Sequence, residues 1–300
     1  MKYKKILFLI LFSVLCTGCQ AETEQDTALP DLDSIIQQEN ASDTLPETET
    51  ETEKFSENIY YLTSHQTESS GNLTEFKAHI ETDGFVWNEC EISAIPDDAN
   101  ILIYYAPQED CTAEEYQILK DYTDRGGDIM LFLPASESEV RYKFLNRLLE
   151  TFSMQIDYDK VTIPEQSFDM IALQIIGMPE RMTAYTESMM SDPVYMRNFR
   201  SFHMLGNYAT DELFVDAMLQ TPSNVIGEPC GGTEDDPLTY ENEKLNVLLY
   251  SRDTVRNNAC MVVCGAGEFL LNENFDSDMS QGAQNWIYSS LNWFMSYNNF

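Results

Sequence analysis

Ile101-Leu102-Ile103-Tyr104-Tyr105-Ala106 is followed, past Pro107 to Cys111, by Thr112-Ala113-Glu114-Glu115 and then by Gly126-Gly127-Asp128-Ile129-Met130-Leu131-Phe132-Leu133. A continuous apolar run has no polar face, so it belongs in a sheet covered on both sides. Thr112 with Glu115 three residues on is a capping box, which starts a helix. Helical spacing then buries Tyr116, Leu119, Tyr122 and Thr123, and Gly126-Gly127 stops the helix. Two fully apolar strands joined through one helix need a crossover connection, and so parallel pairing.

The same alternation extends in both directions. Upstream, Asn58 to Thr63 reads as a buried strand, and Leu73, Phe76 and Ile80 mark a helix ending near Gly84. Phe85 to Ile92 alternates like an edge strand, with a turn at Pro96 to Asn100. Downstream, Val140 to Phe152 is an amphipathic helix, Leu245 to Ser251 and Ala259 to Cys264 are strands, and Gln281 to Tyr297 is a closing helix. The middle is less regular: strands at Tyr158 to Ile163, Met170 to Ile176 and Phe214 to Leu219, short helices within Met178 to Gly206, and a polar loop from Thr221 to Thr239. The expected fold over residues 58–300 is α/β, a doubly wound, mostly parallel sheet with an α+β insertion at about 164–242. The runs from Ile59, Ile101, Ile129 and Ala259 should be adjacent parallel strands. The loops that follow them should then share one edge, where open α/β sheets bind ligands.

The N-terminus carries a different message. Lys2, Lys4 and Lys5 precede an apolar run from Ile6 to Leu15, about half the roughly 20 residues a spanning helix needs. These are the proportions of a signal peptide, residues 1–18. The run ends in Leu15-Cys16-Thr17-Gly18-Cys19, which resembles a lipobox, with Cys16 where the motif prefers Leu, Val or Ala. The mature chain is then expected to begin at an acylated Cys19 and to sit on the extracytoplasmic side of the cell membrane. Residues 19–57 are acidic and poor in apolar groups, the composition of a disordered tether.

Charge and cysteine content restrict the partners. The formal net charge is −34, and losing Lys2, Lys4 and Lys5 with the signal makes it −37. Nucleic acid binding relies on clustered Lys and Arg, so nucleic acid is excluded. Docking of the folded body on anionic lipid is disfavoured for the same reason. Cys90, Cys111, Cys230, Cys260 and Cys264 remain in the mature chain, an odd number that cannot all pair internally. Cys260 and Cys264 fall on the same face of one strand and read as small buried hydrophobes. With no C-x-x-C pair and only His65, His79 and His203, no metal site is expected.

Candidate site residues follow from the strand ends. His65 lies just past the first strand with Glu68 close by, a pairing that could serve as a base or a ligand pair. Ser136 follows the strand ending at Leu133, but neither glycine of a nucleophile elbow flanks it. Gly265 and Gly267 follow the last strand, yet a dinucleotide fingerprint needs a third glycine where Leu270 stands. No cofactor is expected, and none of these residues is read as catalytic.

The order of four segments resembles the gliding-motility G-type (GldG-like) auxiliary domain of ABC transporters. These are Ile59 to His65; Ile95-Pro96-Asp97-Asp98-Ala99-Asn100-Ile101-Leu102-Ile103; Thr112 to Ile129; and Ala259 to Phe269 with Asn285 and Leu291-Asn292-Trp293-Phe294. The resemblance implies a fold like class I glutamine amidotransferases and a non-catalytic accessory role beside an ABC permease. The chain departs from the family at Ser64-His65-Gln66-Thr67-Glu68, where the acid is displaced, and in its lipid rather than transmembrane anchor. The alternative is a free-standing lipoprotein that binds a small ligand or glycan, and after it a hydrolase.

Overall fold

The computed structural model describes residues 57–135, 140–163, 170–176, 192–206, 212–230, 240–241 and 243–298. The signal, the tether, Cys19 and Ser136 lie outside the described residues.

The central sheet is built from β1 (Asn58–Leu62), β2 (Val86–Cys90), β3 (Ile101–Tyr105), β4 (Asp128–Phe132) and β14 (Ala259–Cys264), in the order β2-β1-β3-β4-β14. Every pairing among these strands is parallel. Their residues alternate strictly between two cores. Ile101, Ile103 and Tyr105 of β3 face one, and Leu102 and Tyr104 the other. Cys260, Val262 and Cys264 of β14 face the first, and Ala259, Met261 and Val263 the second. That is why β3, β4 and β14 read as unbroken apolar runs: neither face meets water.

Helices α1 (Thr74–Thr82) and α5 (Asp278–Asn298) cover the first core, placing Phe76, Ile80, Trp286, Ile287, Leu291, Trp293 and Phe294 in it. Helices α2 (Ala113–Asp124) and α3 (Lys143–Glu150) cover the second, through Tyr116, Leu119, Tyr122, Leu145, Leu148 and Leu149. A short helix, α4 (Asn272–Phe275), precedes α5. Both halves of the capping box on α2 form: the Glu115 amide donates to the Thr112 hydroxyl (3.2 Å) and the Thr112 amide to the Glu115 carboxylate (2.8 Å). Gly126, at φ 98°, reverses the chain into β4, a left-handed backbone that glycine adopts without steric cost.

Beyond β14 the sheet continues antiparallel. β13 (Asn246–Asp253), β10 (Leu213–Gln220), β7 (Ile171–Ile175) and β8 (Val194–Met196) extend it in that order. The mostly parallel arrangement thus describes the core of the sheet and not its far side. β5 (Met154–Ile156) pairs with β9 (Phe202–Met204), which in turn touches β13. A second sheet of three strands joins β12 (Tyr240–Glu241), β11 (Ile226–Pro229) and β6 (Asp159–Thr162).

Two readings of the middle need correction. The described part of Met178 to Gly206 carries strands β8 and β9 instead of short helices, and β11 lies inside the stretch read as a polar loop. In both places the strands are only three or four residues long, too short for hydrophobic periodicity to register. Among the described residues no helix is long and apolar enough to cross a membrane.

Candidate functional site at the carboxyl edge of the parallel strands

Because β1, β3, β4 and β14 run in the same direction, the segments that follow them gather at one edge. Backbone bonds knit these segments together. The Gln108 amide donates to the His65 carbonyl (2.8 Å), Glu68 to Tyr105 (3.3 Å), Ala106 to Phe132 (2.9 Å) and Leu133 to Cys264 (2.9 Å). His65 and Gly265 therefore share an edge, as parallel pairing requires.

Backbone strain concentrates here. His65 (φ 61°), Gln66 (φ 50°) and Ala106 (φ 48°) all sit in the left-handed region at strand ends. Non-glycine residues in that region persist only where the surroundings hold them, and they cluster at functional sites. At the end of β3 the strained residue is an alanine, whose methyl offers neither a nucleophile nor a base.

His65 does not pair with Glu68. Its Nε2 lies 2.9 Å from Glu115 Oε2, the same oxygen that caps α2. Burial opposes the charge on Glu115, but hydrogen bonds from the Thr112 amide and hydroxyl and the His65 imidazole outweigh it. They hold the carboxyl below the usual carboxylate range. His65 thus ties the loop after β1 to the start of α2. The Glu68 carboxylate instead accepts from Asn72 Nδ2 (2.6 Å) and the Ser69 amide (3.1 Å). With Asn72, Leu271, Asn272 and Glu273 it lines a polar cleft of about 330 Å³.

The glycines after β14 allow close approach. A Cβ on Gly265 would lie 2.0 Å from the Arg200 carbonyl oxygen, and one on Gly267 would lie 2.6 Å from the Tyr105 hydroxyl. Gly265 therefore seats the segment between β8 and β9 on the sheet edge. That segment supplies residues the sequence did not single out. Arg197 Nε donates to Glu268 (2.5 Å) and Asn198 Nδ2 to the other Glu268 oxygen (2.5 Å). Arg200 is 2% exposed. Nothing in the local sequence marks Arg200 as buried; the nearest hint is Gly265, which tells of a close neighbour without naming it.

His203 belongs to another group. Its Nδ1 is 2.9 Å from Asp157, whose other contact is the Ser201 hydroxyl at 2.8 Å. Asp157 stands between serine and histidine, so the histidine cannot take the serine's proton, and the trio lacks the order a nucleophilic triad needs. Among the described residues no three His, Cys, Asp or Glu side chains gather to hold a metal ion.

No protein-family model matches the chain, and no curated protein matches it at a significant level. Its fold is similar to that of a solved mmIFT52 N-terminal domain. That likeness has a TM-score of 0.59 at 16% identity and covers 78% of this chain and 96% of that one. A ThuA-like protein from Bacteroides uniformis matches at TM-score 0.46 and 14% identity, over 80% of this chain and 93% of that one. An alpha-L-fucosidase isoenzyme 2 from Paenibacillus thiaminolyticus matches at TM-score 0.47 and 9% identity, over 80% of this chain but 33% of the enzyme. At such identities the first likeness speaks for the fold alone.

Proposed function

We propose that the chain is a non-catalytic, lipid-anchored extracytoplasmic component of an ABC transport system, held to the membrane through Cys19 and acting beside a permease. The observation that carries the non-catalytic reading is the carboxyl edge itself. Its strained position at the end of β3 holds Ala106, and its histidine, strained as well, is bonded to a helix-capping carboxylate. Such an edge presents shape and hydrogen-bonding groups to a partner, without a nucleophile aligned to a base among the described residues. The finer fold assignment, class I glutamine amidotransferase-like with an insertion at about 164–242, accompanies this reading. It is supported by the five-strand parallel core and the helices on both its faces. A second reading, a free-standing binder of small ligands or glycans, draws on the amide- and carboxylate-lined cleft at Glu68.

Replacing Cys19 with Ser tests the anchor. The variant should move from the membrane pellet to the soluble or secreted fraction, and pelleting in high salt would contradict the lipid. Hydrolase and amidase panels should be blank. A reproducible activity abolished by His65→Ala would overturn the non-catalytic reading.

A further inference from the structure

The segment between β8 and β9 buries an arginine that forms no ion pair among the described residues, although Asp159 lies close enough to feel its charge. Arg200 Nη2 donates to the Pro134 carbonyl at 3.2 Å, while Nε and Nη1 are buried without a hydrogen-bond partner. The guanidinium lies over the Tyr142 ring, 5.5 Å from its centroid. An arginine does not deprotonate in proteins, and a buried charge with unmet donors is costly.

The nearby carboxylates are committed elsewhere. Asp110 gives its two oxygens to the Phe144 and Leu145 amides at the start of α3 (2.7 and 3.1 Å). Asp159 bonds the Ser201 amide and hydroxyl, and Asp157 bonds Ser201 and His203. Gly265 fixes the Arg200 backbone, since the Arg200 amide donates to the Gly265 carbonyl (3.2 Å) and any Cβ there would collide with it. The unmet donors are therefore held in place at the ligand-binding edge of the sheet, next to the ends of β4 and β14.

We propose that Arg200 is the anchor of an anion site that takes the carboxylate of a small organic acid. One guanidinium neutralises one charge, and a planar carboxylate matches its planar donors. A chain of net charge −34 repels multiply charged anions. Arg200 lies one layer below solvent: Pro134 and Tyr158 beside it are partly exposed and Arg141, stacked on Tyr158 at 5.5 Å, is exposed. Entry requires these side chains to be displaced. Such a site would serve a free-standing binder as well as a permease-coupled one.

The test is titration of the full chain, in detergent, with sodium acetate, sodium phosphate and sodium chloride at matched ionic strength, read by calorimetry and thermal unfolding. Acetate should bind saturably and raise the unfolding temperature beyond chloride. Arg200→Met should abolish that response while unfolding cooperatively, because it also removes an unpaired buried charge. Arg200→Lys, which keeps charge without the planar donors, should weaken acetate by about tenfold or more. Three results would overturn the proposal: no acetate response beyond chloride, equal binding by Arg200→Met or Arg200→Lys, or tighter binding of phosphate than of acetate.

Discussion

Asp157, Asp159 and Ser201, all buried, and the more exposed His203 form a hydrogen-bonded chain in which proton counting decides the charge states. The Ser201 hydroxyl lies 2.8 Å from Asp157 Oδ2 and 2.8 Å from Asp159 Oδ2, yet it has one proton to give. Both contacts are hydrogen bonds only while one of the two carboxyls carries a proton. Asp159 is fully buried, and burial pushes its carboxyl up to about 6. Below about pH 6 Asp159 is accordingly the acid that donates to Ser201, while Ser201 donates to Asp157 and Asp157 accepts from His203. The hydrogen bond to Asp157 raises the imidazole above its ordinary value. Because the folded state binds the Asp159 proton more tightly than the unfolded chain, this contribution is complete below about pH 4 and lost as pH rises through about 6. At two units of difference it amounts to about 3 kcal/mol. His203 acts in the same direction, stabilising below its ordinary value and losing that stabilisation as pH rises through the raised one. Asp159→Asn supplies a permanent donor in the same shape. Urea unfolding between pH 4 and 8 should show a flatter profile for this variant, with stability at pH 7.5 equal to or above that of the parent. Equal loss of stability at pH 5 and pH 7.5 would show that the acid is not protonated. Nothing in the sequence pointed to the partners of His203. They lie more than forty residues away, on β6 and the approach to it.

Helix α2 was legible down to its cap because everything that defines it is local: Thr112, Glu115, the apolar spacing and Gly126 lie within one short stretch. The bond from Glu115 to His65 crosses fifty residues and was not legible; proximity in sequence suggested Glu68 in its place. Thr112→Ala should cost about 1 kcal/mol in urea unfolding, the usual worth of a helix cap. Glu115→Ala should cost more than Thr112→Ala, because it removes the cap's second half and leaves His65 without its carboxylate. A Glu115→Ala variant as stable as Thr112→Ala would mean that the His65 contact contributes nothing. On the other face, Trp286 of α5 is fully buried, and Trp286→Ala should cost about 3–5 kcal/mol. Strands β3, β4 and β14 were readable because burial on both faces leaves an unbroken apolar signature. β8, β9 and β11 were not, since short strands are specified by their neighbours and not by their own pattern.

At the scale of the molecule, the parallel core could be inferred from strand–helix alternation, whereas the antiparallel extension through β13, β10, β7 and β8 could not. Nothing local distinguishes a strand that pairs antiparallel at the side of a sheet from one that pairs parallel. Cys260 and Cys264 are buried in one core as their spacing required, and burial pushes the Cys264 thiol up to about 12. Native-state alkylation should therefore spare both, and rapid labelling of either would contradict their burial. The candidate edge was legible as a place, through His65 and Gly265, and not as a set of side chains, since Arg197 and Arg200 arrive from a segment whose strands left no trace in the pattern. The functional account joins that edge to a membrane tether and a permease. Its most direct test is isolation of the chain from crosslinked, detergent-solubilised membranes of its own cells, followed by identification of what accompanies it. An ABC permease should be recovered with the native chain and lost with Cys19→Ser. Recovery of the membrane-bound chain with no permease, crosslinked or otherwise, would contradict the account.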